Sequence, residues 1–252
     1  MSSSLRARIP CEIHPSAQAA SLSLAEEIRS RLAANPALVL GLPTGNTPIP
    51  LYEELIRRHR AGQLSFAGAT SFHLDEYLGL EPEDPRSFAV WMRERLLAHV
   101  DLPEARRHLL RPVDIEAAAA EAQRFEALIA RSGGIDLMVL GIGRNGHIGF
   151  NEPGSPRTSR TRLVELEATT IADAAKTFGG ERNVPRRAIT MGIDTILEAR
   201  TIRVLAFGAG KAEIVRRAVL GEASEAVPAS LLAGHPDLRF LLDPESAAGL
   251  GT

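Results

Sequence analysis

Short apolar runs, each followed at once by a polar or glycine-containing turn, constrain this chain more than any other feature. They are Ala37-Leu-Val-Leu-Gly-Leu42, Ala69-Thr-Ser-Phe-His-Leu74, Ile135-Asp-Leu-Met-Val-Leu140, Ile202 to Phe207 and Leu238 to Leu242. Runs of this length suit strands buried on both faces better than helices. Helical patterns separate them. Leu22, Leu24, Ile28 and Leu32 recur at roughly helical spacing within Ser16 to Ala34. Further helices are predicted over Pro48 to Arg60, Ser87 to His99, Ile115 to Arg131, Asp194 to Ala199, and from Gly208-Ala-Gly-Lys211 through Leu220. Strand–helix alternation implies βαβ units and a mainly parallel sheet. No linker, repeat or low-complexity tract divides the 252 residues, so one domain over 1–252 is expected.

One stretch breaks the pattern. From 154 to 187 the chain is rich in Ser, Thr, Arg and small residues, with only Leu163 to Leu166 resembling a strand. It reads as an excursion from the core, a candidate lid. Ala188-Ile-Thr-Met191 then resumes the regular pattern.

Composition excludes several classes. A net charge of -2 without a long basic block gives nucleic acid no electrostatic footing. Cys11 is the single cysteine, which rules out an internal disulfide and a cysteine-rich zinc site. No apolar run approaches the ~20 residues that span a bilayer, and the first residues lack the apolar core of a signal peptide. A cytoplasmic protein with no membrane partner is expected.

Open parallel sheets bind ligands at the carboxyl ends of their strands, and four loops fall there. Leu42-Pro-Thr-Gly-Asn-Thr-Pro48 feeds a helix N-terminus, where free N–H groups and the dipole attract an anion. Thr44, Asn46 and Thr47 can add side-chain hydrogen bonds, and Gly45 admits close backbone approach. The same residues also suit a plain strand-to-helix turn, with Thr47 as N-cap and Pro48 as first helical residue. Asp75-Glu76-Tyr77 offers two adjacent carboxylates that point apart, so one of them can face a pocket and serve as a general base. They could equally be a helix cap or a solvated pair.

The third loop, Gly141-Ile-Gly-Arg-Asn-Gly-His-Ile-Gly-Phe-Asn-Glu-Pro153, contains GxGxxG after a strand, with Glu165 at a distance fit for a ribose contact. A dinucleotide site is therefore a rival. Gly149 and Pro153 nevertheless interrupt any helix opening here, and the motif lies past mid-chain rather than at the first βα turn. His147 close to Glu152 makes an orientable acid–base pair. In the fourth loop, Phe207-Gly-Ala-Gly-Lys211, a lysine at a helix start asks for an anionic partner, although the full Walker spacing is absent.

In this order, LGLPTGNTP, FHLDEYLGLEPEDPRSF, GIGRNGHIGFNEPGS with SRTR, VPRRAITMGIDTILEAR and FGAGKAEIVRRAVLG resemble the glucosamine-6-phosphate deaminase family. The likeness runs from about Leu38 to Leu242. It implies an open three-layer α/β/α fold with a Rossmann-like sheet, no metal and no organic cofactor. It also implies conversion of an amino-sugar phosphate, glucosamine 6-phosphate, into fructose 6-phosphate and ammonia. By resemblance, Asp75 is the base acting between C2 and C1. His147 and Glu152 serve ring opening, Asn145 stands beside them, and Thr44, Gly45, Asn46 and Lys211 cradle the phosphate. Asn145 replaces an Asp of some members, and Lys176 stands near the place of a lid arginine without its bidentate fork.

Arg160 and Arg162 are kept. Val164 and Pro156, however, replace polar or charged groups of allosterically regulated members, and the chain ends soon after Leu250 without their extended tail. No activation by an N-acetylated sugar phosphate is expected, and a monomer or homodimer rather than a large regulated assembly. A sister phosphogluconolactonase, a non-catalytic sugar-phosphate sensor and, last, a nicotinamide dehydrogenase are the alternatives.

Overall fold

A computed structural model describes residues 9–81, 83–111 and 114–251. In chain order the central elements are β1 (Cys11–Ile13), α1 (Ala17–Ala34), β2 (Val39–Leu42), α2 (Ile49–Arg60) and β3 (Thr70–His73). After them come β4 (Asp75–Tyr77), α3 (Phe88–Arg95), β5 (Arg107–His108), α4 (Ile115–Arg131) and β6 (Leu137–Gly141). The excursion holds β7 (Arg162–Glu165) and α5 (Ala168–Phe178), before β8 (Arg187–Thr190) and α6 (Ile193–Leu197). The chain closes with β9 (Thr201–Ala206), α7 (Ala212–Leu220), β10 (Leu238–Leu242) and α8 (Pro244–Ala247).

Seven strands form one parallel sheet in the order β1-β10-β9-β6-β2-β3-β5. Strand alternation sends successive side chains to opposite faces, and the two faces build separate cores. Leu40, Leu42, Leu137, Val139 and Leu205 pack with α1, α2 and α3. Met138, Leu140, Ile202, Val204 and Phe240 pack with α4, α6, α7 and α8. The three-layer α/β/α expectation therefore holds. Strand order, not chain direction, reverses between β2 and β6, with β3 and β5 on one side and β9, β10 and β1 on the other. That is the switch point at which open sheets leave a crevice beyond the strand ends.

Local chemistry sets the helix starts. Ser16 accepts from Ala19 N at 3.1 Å, and Asp114 accepts from Ala117 N at 3.0 Å. Asp243 and Ser246 cap α8 reciprocally, and the Asp243 carboxylate also accepts from Gly208 N at 2.9 Å. The last bond ties the end of β10 to the loop after β9.

Four expectations change. Asp75-Glu76-Tyr77 is a strand, not a loop. It pairs antiparallel with β8, with Asp75 opposite Thr190 and Tyr77 opposite Ala188, in a second sheet ordered β4-β8-β7. Accordingly β8 lies outside the central sheet. The excursion is not irregular either, because α5 buries Thr170, Ile171 and Phe178 and ends on Gly179 in the left-handed region, φ 68°. Its Ala- and Thr-rich sequence hid that helical stripe. Lastly, Pro48 rather than Thr47 occupies the cap position of α2, and no side chain caps that helix. Residues 154–187 thus carry a strand and a helix packed on Tyr77, Phe150 and Leu166.

Candidate active site

Three of the four predicted loops, and the strand β4 in place of the fourth, converge on one cavity of about 270 Å³. Thr44, Gly45 and Asn46 line it from the β2 loop, Asp75 and Tyr77 from β4, Gly143 and His147 from the β6 loop, and Lys211 from the β9 loop. A larger groove of about 850 Å³ lies on the other side of α5, between Leu78, Ile115 and Ile171, and receives none of these loops.

The phosphate-type end of the cavity is built from backbone freedom and one cation. Gly45 has φ +98°, and nothing lies within 4 Å of where its Cβ would be. The loop backbone is therefore open to a ligand. The Tyr52 hydroxyl donates to the Pro43 carbonyl at 2.6 Å from within α2, fixing the loop's entry. Lys211 ends a single tight turn before α7, and its Nζ donates to the Ile142 carbonyl at 2.8 Å. Burial holds its ammonium below the usual range, with Arg144 adding to the effect and Asp173 opposing it. A bound dianion would reverse that shift, since an opposite charge favours the ionised lysine.

Asp75 and Tyr77 share the cavity face of β4 because they are two residues apart, and Glu76 points the other way. The Glu76 carboxylate accepts from Tyr77 N at 2.8 Å, Phe88 N at 3.0 Å and Ala89 N at 2.9 Å. It therefore serves the N-terminus of α3. Asp75 is 7% exposed. Burial, and then the charge of Glu76, push its carboxyl from an ordinary value of 3.8 up to about 8. Gly149 makes room for it, for a Cβ there would lie 3.3 Å from Asp75 Oδ2 and 3.0 Å from Thr190 Oγ1.

The GxGxxG run forms a tight turn, closed by Gly146 N to Gly143 O at 3.0 Å and Gly143 N to His147 O at 2.9 Å. No helix opens there. A Cβ on Gly143 would fall 2.3–2.5 Å from three atoms of the His147 ring, so only glycine lets the imidazole lie across the turn. Gly146 has φ +92°, and a Cβ on it would meet Val227 at 2.9 Å. Glu165, the residue a ribose would need, is exposed on β7 and pairs with Arg187 at 3.3 Å. The dinucleotide reading loses its geometry.

Behind the turn sits a hydrogen-bonded unit. His147 Nδ1 is 3.3 Å from Glu152 Oε2 and 3.3 Å from Thr170 Oγ1. Asn145 Nδ2 donates to Glu152 Oε2 at 2.8 Å, and Asn145 Oδ1 accepts from the His147 backbone N–H at 3.2 Å. Burial pushes the Glu152 carboxyl upward, but bonds from His147, Thr170 and Asn145 outweigh it and hold the group below the usual range. Neither Glu152 nor Asn145 lines the cavity, whereas His147 does. Asn145 is thus a bracket for the turn rather than a group facing the ligand.

Lys176 is exposed near the end of α5 and is not among the lining residues. That helix turns Thr170, Asp173 and Ala174 to the cavity instead, and Asp173 pairs with Arg144 of the turn. Arg160 bonds Glu126 and Glu198, while Arg162 donates to Asn151 at 2.8 Å and Ser155 at 2.9 Å. Sequence reasoning missed Tyr77, Phe88, Phe150, Thr170 and Asp173 as lining residues. Strand alternation from Asp75 would have found Tyr77. Phe150 lies in the His147 loop itself, whereas Phe88, Thr170 and Asp173 reach it only through the tertiary fold, with Phe88 stacked on Phe150 at 5.5 Å and Tyr77 5.1 Å from Phe150.

A family model for glucosamine-6-phosphate isomerases/6-phosphogluconolactonase matches residues 14–240. A glucosamine-6-phosphate deaminase of Rhodopirellula baltica is 50% identical over 242 residues, covering 96% of each chain. One of Bacillus velezensis is 45% identical over 234 residues, covering 93% of this chain and 95% of its own. Among solved structures, a monomeric glucosamine-6-phosphate deaminase superposes with a TM-score of 0.92 at 39% identity, over 96% of this chain and 100% of that one. The 6-phosphogluconolactonase from Leishmania guyanensis shares the fold, with a TM-score of 0.77 at 22% identity, over 97% of this chain and 99% of its own. Matched along nearly its whole length by the family model and by relatives of this identity, the chain belongs to the glucosamine-6-phosphate isomerase/6-phosphogluconolactonase family.

Proposed function

We propose that the chain is a glucosamine-6-phosphate deaminase, converting glucosamine 6-phosphate and water into fructose 6-phosphate and ammonia. One observation carries this reading. A buried carboxyl pushed up to about 8, Asp75, and a separate His–carboxylate pair, His147 with Glu152, lie at one cavity beside the loops proposed as an anion cradle. Ring opening needs one acid–base group and C2–H abstraction another, and the site offers both. The identity to named deaminases, 50% and 45%, supports the same choice.

In this mechanism Thr44, Gly45, Asn46 and Lys211 hold the phosphate, fixing the substrate by a remote charge. His147 moves a proton between the ring oxygen and the C1 hydroxyl, and Glu152 orients it. Asp75, once ionised, takes the proton from C2 of the open-chain amino aldehyde as the aldehyde oxygen gains one. It returns a proton to C1, leaving a C2 iminium. Water adds at C2 and the C–N bond breaks, releasing ammonia and the ketose. Residues 154–187 serve as the lid, and the chain acts as a single cytoplasmic domain over 1–252, as a monomer or homodimer. The family's monomeric structural relative supports a small assembly.

The test is product analysis with glucosamine 6-phosphate, galactosamine 6-phosphate and 6-phosphogluconolactone. Equal amounts of ammonia and fructose 6-phosphate from the first are expected. Lactone hydrolysis with no ammonia would replace the deaminase reading by the lactonase one, and binding without turnover would make the chain a sensor.

A further inference from the structure

The acid–base unit is held from two sides, and the second side has no role in the mechanism above. The β6 loop contributes Asn145, His147 and Glu152. The first turn of α5 meets them: Thr169 Oγ1 accepts from Asn145 Nδ2 at 3.2 Å, and Glu167 N donates to Glu152 Oε1 at 3.4 Å. Thr170 is 6% exposed, lines the cavity, and sets its hydroxyl 3.3 Å from His147 Nδ1.

We propose that Thr170 is a positioning residue that fixes the orientation and tautomer of His147 by placing its hydroxyl 3.3 Å from Nδ1, the atom that Glu152 also meets. This deepens the deaminase reading and rests on it. Two oxygens compete for Nδ1, and they differ in kind. Glu152, when ionised, only accepts, whereas a threonine hydroxyl both donates and accepts. Because the ionised Glu152 only accepts, Nδ1 carries the proton and gives it to the carboxylate, and the Thr170 hydroxyl 3.3 Å away keeps the ring in that orientation. Nε2 then stays unprotonated and free to act as the ring-opening base. Thr170 is also one of the donors that hold the Glu152 carboxyl below the usual range against burial. Without the hydroxyl, Glu152 gains a proton more readily and the histidine loses its fixed orientation. The other charged or titratable groups around the site are Asp75 and Tyr77 from β4, Asp173 from α5, Arg144 from the turn and Lys211 from the β9 loop. All of them stay in place in the variants below.

Thr170→Val removes the hydroxyl at nearly constant volume, and Thr170→Ser keeps it. Steady-state kinetics on glucosamine 6-phosphate are measured across pH for both, beside His147→Gln, with thermal melts on each. A lost hydrogen bond to a charged group predicts a fall in kcat of roughly 10–100-fold for Thr170→Val. KM should stay within about threefold, because Thr170 is not one of the residues proposed to cradle the phosphate. Thr170→Ser should restore the rate. Wild-type kcat in Thr170→Val would overturn the inference. A loss that Thr170→Ser fails to restore, or one confined to KM, would overturn it too. If Thr170→Val does not fold, Thr170→Ala against Thr170→Ser carries the same comparison. Full activity in His147→Gln would instead overturn the underlying reading, whatever Thr170 does.

Discussion

At the scale of single residues, Asp75 carries the sharpest consequences. Its raised value predicts that kcat/KM climbs with pH through about 8, as the base loses its proton. The same shift has an energetic sign. A carboxyl whose folded value exceeds its ordinary 3.8 contributes stability that is fully present below about 4. That contribution is lost as pH rises towards about 8. Asp75→Asn should therefore melt about 2–4 °C higher than wild type at pH 8, with the gain vanishing at pH 4. Differential scanning calorimetry at the two pH values checks it, and equal melting points at pH 8 would contradict it.

Gly143 gives a second residue-scale prediction. Because a Cβ there would fall on the imidazole, Gly143→Ala should displace His147 and cut kcat by roughly 10²-fold or more. KM for the phosphate ester should change far less. A near-wild-type kcat would show that the ring does not need its observed place. Legibility at this scale followed chain locality. Asp75, His147, Thr44 and Lys211 could be found because each follows a recognisable strand end. Thr170 and Asp173 meet the site only across the fold, so no spacing announces them, and Lys176 was placed by likeness rather than by the turn of its helix.

At the scale of elements, the central strands were legible because both their faces are buried, which leaves continuous apolar runs. The second sheet was not. β4 is three residues long with two carboxylates, and its strand character comes from its partner β8 rather than from its own residues. α5 was hidden in the same way, for two of its buried residues, Ile171 and Phe178, lie seven apart among Ala and Thr. Its end is set by Gly179 at φ 68°. Gly179→Ala should lower stability by roughly 1–2 kcal/mol. If α5 covers the cavity as the lid reading holds, KM should rise as well. Urea unfolding read beside kinetics separates the two effects, and an unchanged midpoint would contradict the capping role.

At the scale of the whole molecule, one topological fact organises the rest. The reversal between β2 and β6 opens a crevice, and loops from β2, β6 and β9 reach it, with β4 joining directly from β3. No single loop is sufficient. The anion cradle, the buried carboxyl and the histidine pair come from different strand ends, so the site exists only once the sheet has formed. Large core truncations should therefore abolish activity and folding together. Phe125→Ala, removing a fully buried ring of α4 packed on Phe72, should cost roughly 3–5 kcal/mol. Activity and near-ultraviolet dichroism should then be lost over the same denaturant range. Activity lost well before the core melts would contradict a site built from the whole sheet.

In the proposed reaction, Asp75 and the His147–Glu152 pair together deaminate an amino-sugar phosphate. The most direct measurement is the initial rate of ammonia and fructose 6-phosphate release from glucosamine 6-phosphate, for wild type and for Asp75→Asn. Equal release of the two products by wild type and a fall of roughly 10²–10⁴-fold in Asp75→Asn is the predicted result. Full activity in Asp75→Asn, or fructose 6-phosphate without ammonia, would contradict it.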